Sequence, residues 1–190
     1  MRVGTHAVSS GSATTLWNRL RTHRGSGDGR GNHRASIFRF HSGDALSARY
    51  PHLHMACWRD RRARGPKVKL QEEPLERAVS EYLGAMGVLW LDVGDEPGPS
   101  SDRAYIERNI IGLLSRDGEP SDPPSASWLG LHSPRPHIRR FGLWNLDHLE
   151  YPYISDCLDV LEECVLITAG KSPRPTCSIA PSGWYAQDGR

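Results

Sequence analysis

Glycine and proline interrupt this chain so often that no regular element can run far. Nineteen glycines and 14 prolines are spread through 190 residues. They cluster in the stretches GSGDGRGN (25–32), GDEPGP (94–99) and DGEPSDPPS (117–125). Each cluster ends whatever precedes it, because glycine visits backbone conformations closed to other residues and proline cannot continue a hydrogen-bonded ladder. What remains is a set of short periodic segments.

The periodicity of those segments assigns their type. Thr14 or Thr15 can cap a helix from Leu16 to Arg24, with Gly25 as its stop. Arg19 and His23 lie four apart and share one face of it. HRASIFRF (33–40) begins a helix or a strand. Leu75, Val79 and Leu83 recur every four residues, which predicts a helix opened by Pro74. Ser100 or Ser101 caps another helix that buries Tyr105, Ile106, Ile110, Leu113 and Leu114. Ser133-Pro134 starts a short helix ended by Gly142. Residues 154–167 form an amphipathic helix with Leu158, Leu161 and Val165 inward. Two runs are extended: RVGTHAV (2–8) and VLWLDV (88–93), the second expected at the centre of a sheet. The expected organisation is a single domain over 1–168, with a loose Pro-, Ser- and Gly-rich tail at 169–190. Trp17, Trp90, Trp128 and Trp144 are expected to be core or half-buried packing.

No apolar run approaches the ~20 residues that span a bilayer, and the N-terminus lacks the apolar stretch of a secretory signal. A cytoplasmic protein is the expectation. The four cysteines (Cys57, Cys157, Cys164, Cys177) form no CxxC pair, so buried free thiols are expected rather than a zinc site.

The net charge of +2 conceals a split. Through residue 70 there are 14 Lys and Arg against Asp28, Asp44 and Asp60, and the acids dominate the remainder. A basic half of this kind suits a polyanion. The candidate backbone contacts are Arg21, Arg24, His33, Arg34, Arg61, Arg62 and Arg64, within or beside a basic run that extends to Lys67 and Lys69.

The order of these elements resembles the GIY-YIG nuclease family over residues 2–148. Arg2-Val3-Gly4 stands where the family carries its tyrosine-hydrophobic-glycine tripeptide. In the helix that follows (LWNRLRTH), Arg19 matches the family arginine and His23 its histidine. The later helix YIERNII places Glu107 at the position of the metal-binding glutamate, and His33 matches a further histidine of some members. WLG (128–130) and FGLWNLDH (141–148) resemble a subgroup of the family. The resemblance implies an α/β (α+β) fold: a small, mixed, three-stranded sheet flanked by helices, with catalytic elements in 2–115 and a helical extension over 126–168. It implies a DNA endonuclease using one Mg²⁺ or Mn²⁺ ion, with Arg19, His23 and Glu107 catalytic and Glu107 as metal ligand.

The chemistry explains those residue types. Phosphodiester hydrolysis loads negative charge on phosphate oxygens, which a fixed guanidinium meets with paired donors. A carboxylate holds a hard divalent cation. Two family features have no counterpart. The strand with the first tyrosine would precede residue 2, and Arg2 occupies the place of the second tyrosine. The spacing of a late family asparagine falls near Glu119, so Asn109 and Asn145 match by type alone. The resemblance therefore implies a chain that lacks an upstream strand, which is the preferred account, or a relative that binds DNA without cutting it. A protein-interaction domain is the reading from a different class, and it predicts no affinity for DNA at low salt.

Overall fold

The computed structural model describes residues 1–60, 62–116 and 122–187. Its elements are six α-helices joined by 3₁₀ turns and extended coil: α1 (Leu16–Arg24), α2 (Ile37–Arg49), α3 (Pro66–Gly84), α4 (Asp102–Leu114), α5 (Pro136–Phe141) and α6 (Cys157–Thr168).

Local chemistry accounts for most helix ends. Thr15 accepts from the Asn18 N–H at 3.1 Å to open α1, and Gly25 closes it at φ +86°. Ser36 caps α2 by accepting from the Arg39 N–H at 3.2 Å. Pro66 occupies the first turn of α3, where its missing N–H costs nothing. Gly142 ends α5 in the left-handed region at φ +67°.

Two apolar clusters organise these helices. The first joins Phe38, Phe40 and Leu46 of α2 to Leu75, Val79 and Leu83 of α3, and adds Trp58, Leu129, Ile138 and Trp144. The second joins Tyr105 and Ile106 of α4 to Cys157, Val160 and Cys164 of α6, with Ala180 and Trp184 of the C-terminal segment. That segment is fastened by the buried Asp102 carboxylate, which accepts from the Ile179 N–H at 2.9 Å and the Ala180 N–H at 3.0 Å. Cys157 and Cys164 are buried free thiols, as their spacing suggested.

α2 is buried on nearly every face, including its charged residues. Arg39 is fully buried, and its guanidinium is spent internally. Nε donates to Glu76 at 3.1 Å, Nη2 donates to Glu76 and, at 3.0 Å, to the Ser80 hydroxyl, and Nη1 donates to the His23 carbonyl at 2.9 Å. The other Glu76 oxygen accepts the His33 N–H at 2.7 Å and meets His33 Nδ1 at 2.9 Å. Gly31 is required beside this group, since a Cβ there would fall 1.9 Å from Arg39 Nη2.

The expected three-stranded sheet is not formed: the described residues contain helices and coil and no strand. Residues 2–8 are coil, with Ala7 in the left-handed region at φ +57°, and pair with no strand among the described residues. The Asn145 side chain instead accepts from the Val3 N–H at 3.0 Å and donates to the Val3 carbonyl at 2.9 Å. One amide thus supplies the donor and acceptor that a neighbouring strand would offer. VLWLDV is not central either, as Leu89 is 101% and Trp90 58% exposed. A run of apolar residues specifies a strand only where a partner ladder exists.

Three smaller expectations also change. Pro66, not Pro74, opens α3, and Pro74 lies inside it. On α6 the buried stripe is Cys157, Val160, Cys164 and Ile167, whereas Leu158 and Val165 are exposed. Trp17 is 63% exposed, while Trp144 is buried as expected.

Removing one partner of a buried ion pair strands the other charge. Glu76→Gln is therefore expected to lower stability by about 3 kcal/mol, read from urea denaturation at neutral pH. In the wild type, burial pushes the Glu76 carboxyl up, but hydrogen bonds from His33 and Arg39 outweigh it and hold it below its ordinary value. The stability this carboxylate supplies is present above its unfolded pKa and is lost as pH falls through the lower folded one.

Candidate active site

The Arg39–Glu76 group determines where α1 lies. By donating to the His23 carbonyl, Arg39 satisfies an end of α1 that would otherwise lack a partner. This anchors the last turn of α1 against α2 and α3, although α1 buries none of its own residues. Arg19 and His23 face inward, while Trp17 and Arg21 point outward and are exposed, as is Arg24.

The half-buried Arg2, Arg19 and Glu107 lie within reach of one another's charge, with half-buried His23 sensing both arginines and exposed Asp147 sensed by Arg2 and Glu107. Glu107 is pushed above its ordinary value by burial, against the pull of Arg2, a backbone hydrogen bond from Thr5 and Arg19, with Asp147 adding to the rise. Arg2 is lowered by burial and by the charge of Arg19, and raised by Glu107 and Asp147. Two cations and two carboxylates from four separate parts of the chain thus sense one another's fields. Gly4 lies exposed beside Arg2 and Glu107: a Cβ there would stand 3.9 Å from Arg2 Nε and 4.0 Å from a Glu107 oxygen.

His23 is lowered to about 4, first by burial and then by Arg19, Arg2 and Arg39. Its ring is neutral at physiological pH. Nδ1 lies 2.7 Å from the Ser36 hydroxyl, whose oxygen already accepts from the Arg39 N–H. The hydroxyl proton is then best directed at Nδ1, which leaves the imidazole proton on Nε2. The ring also meets Phe38 edge-on, with centroids 5.7 Å apart.

The remaining sequence candidates lie elsewhere. His33 is 1% exposed, stacked on Trp58 at 3.8 Å and bonded to Glu76, so it presents nothing to a ligand at the surface. Arg34 makes a two-pronged pair with Glu72, at 2.7 and 2.6 Å. It lines a cavity of about 790 Å³ with Arg30, Arg64 and Lys69. Arg62 and Arg64 are exposed, while Arg61 and Glu119 lie outside the described residues. Asn109 is fully buried and structural, with its oxygen accepting the Ile154 N–H at 2.8 Å. Arg103, one turn before Glu107, pairs with Asp95 instead, so Glu107 is not tied up by its helical neighbour.

Sequence reading missed three participants. Arg2 registered only as the loss of a tyrosine, and Asn145 only as a match by type to the family asparagine. Asp147 went unassigned inside the NLDH block. That block was the available signal, because polar residues follow a buried tryptophan there.

No group of three or more His, Cys, Asp or Glu side chains suited to a metal occurs among the described residues. The donor set here fits only a cation that draws most of its ligands from water and substrate, with Glu107 as the protein's carboxylate.

The His23 environment has a measurable consequence. Its folded pKa lies below its unfolded value near 6.5, so the unfolded chain binds the extra proton between the two. Stability is full above about pH 6.5 and is lost as pH falls towards about 4. His23→Gln is expected to flatten the melting temperature across that window relative to wild type. Parallel curves for the two proteins would refute the assignment.

A family model described as the GIY-YIG domain matches residues 1–171. No curated protein and no solved structure matches the chain significantly. No helix among the described residues is long and apolar enough to cross a membrane. With the model spanning most of its length, the chain belongs to the GIY-YIG nuclease family.

Proposed function

We propose that this protein is a DNA endonuclease that hydrolyses phosphodiester bonds with a single Mg²⁺ or Mn²⁺ ion, acting in the cytoplasm. The observation that carries the reading is the meeting of Arg19 from α1 and Glu107 from α4 in one half-buried cluster. Both are among the residues matched to the family by sequence alone.

Arg19 is assigned to the scissile phosphate. Among the described residues no hydrogen bond or ion pair engages its guanidinium, so its donors remain available for two phosphate oxygens. Glu107 is the ligand of the divalent ion, which when bound supplies charge to the leaving oxygen. Burial raises the Glu107 carboxyl, and Arg2 and the Thr5 N–H offset part of that rise. His23, neutral and with its proton on Nε2, donates to a phosphate oxygen. It is poorly suited to remove a proton from water, because Nδ1 is taken up by Ser36. Exposed Arg21, Arg24, Arg62 and Arg64 contribute contacts to the DNA backbone, which position the duplex without reading its sequence.

A second reading is favoured by one observation. Arg2 stands where the family carries its second tyrosine, and a guanidinium stays protonated and cannot act as a base. On that ground the protein binds DNA and does not cut it.

Nicking of supercoiled plasmid separates the two. With Mg²⁺ or Mn²⁺ the wild type is expected to nick, and chelator should abolish the activity. Arg19→Ala and Glu107→Ala should each lower the rate by about 10²- to 10³-fold, the usual loss for one preorganised charged group. Retarded DNA without nicking would select the binding-only reading. Undiminished nicking by Glu107→Ala would end the catalytic assignment.

A further inference from the structure

We propose that Arg2 is a second phosphate-contacting residue, which engages a phosphate of the bound nucleic acid beside the one met by Arg19. The proposal rests on the nucleic-acid reading above and adds a residue that sequence matching had counted only as a loss.

Three contacts preorganise Arg2. Nη1 donates to the Trp144 carbonyl at 3.3 Å. The guanidinium lies over the Phe38 ring, 5.3 Å from its centroid, a placement that favours a cation. The next residue is locked at both backbone polar groups by Asn145. The side chain is thereby held without consuming most of its five N–H donors. Arg19, across the cluster, is engaged by no hydrogen bond among the described residues. The exposed Gly4 lies beside Arg2 and Glu107, with Arg2 Nε and a Glu107 oxygen each about one van der Waals contact from where its missing Cβ would stand.

Charge balance indicates what the pair accepts. The two guanidinia repel each other, and in the free protein Glu107 and Asp147 offset them. Engagement of Glu107 by a divalent cation would withdraw much of that compensation. Phosphates restore it, because their oxygens match the planar fork of each guanidinium. A neutral or cationic ligand would leave two half-buried cations without a counter-charge.

The test is the salt dependence of duplex DNA binding by the full-length protein in chelator, read by fluorescence anisotropy. Each phosphate contact adds about 0.9 to the slope of log affinity against log salt. Arg2→Gln is expected to reduce the slope by about that amount, Arg2→Lys to retain it, and Arg19→Gln to reduce it as Arg2→Gln does. A slope unchanged in Arg2→Gln but reduced in Arg19→Gln would overturn the proposal and leave the nuclease reading standing. Absence of salt-dependent binding by the wild type would overturn both. Thermal melting verifies that each variant is folded. If Arg2→Gln does not fold, phenylglyoxal labelling of the wild type with and without DNA carries the test. Protection of Arg2 by DNA supports the contact, and equal labelling refutes it.

Discussion

A single buried guanidinium ties together the N-terminal helices α1, α2 and α3. Arg39 reaches α3 through Glu76 and Ser80, the end of α1 through the His23 carbonyl, and the 30–33 turn through its contact with Gly31. Burying such a pair carries a desolvation cost that its own attraction repays only with good geometry and further hydrogen bonds. Here those bonds are present, since His33 satisfies the second Glu76 oxygen twice. An apolar pair of equal volume could match its stability. It could not hold the exposed helix α1 by a carbonyl of its last turn, and α1 carries Arg19 and His23.

The candidate site follows from that anchoring and lies where two cores meet. α1 belongs to the cluster built on α2 and α3, whereas Glu107 rides on α4, which packs against α6 and the C-terminal segment. The N-terminal coil joins the two, pinned to the loop after Trp144 by Asn145. A seam of this kind allows charged groups to be half-buried. They are shielded enough for their fields to be felt and open enough to meet a polyanion.

Much of the local structure was legible before any coordinates. The Thr15 cap, the Gly25 and Gly142 stops and the Leu75–Val79–Leu83 stripe depend only on near neighbours, and each is found where the residues indicated. The errors share a cause. VLWLDV and RVGTHAV have strand-like composition, yet a strand depends on hydrogen bonds from residues distant in sequence. In α6, leucine and valine outrank cysteine by hydropathy, but the face that meets α4 carries Cys157 and Cys164. His33 was matched to a family histidine, and its burial and stacking on Trp58 could not be read from spacing.

The sequence by itself determined the family, several helix starts and stops, and the residue types that carry the proposed chemistry, because caps, periodicity and short motifs are properties of adjacent residues. Only the tertiary structure decided that Arg2 joins Arg19 and Glu107, that Asn145 replaces a strand, and that His23 is neutral with its Nδ1 committed to Ser36. Those outcomes depend on desolvation and on charges brought together from distant parts of the chain, and both exist only after the two cores have packed.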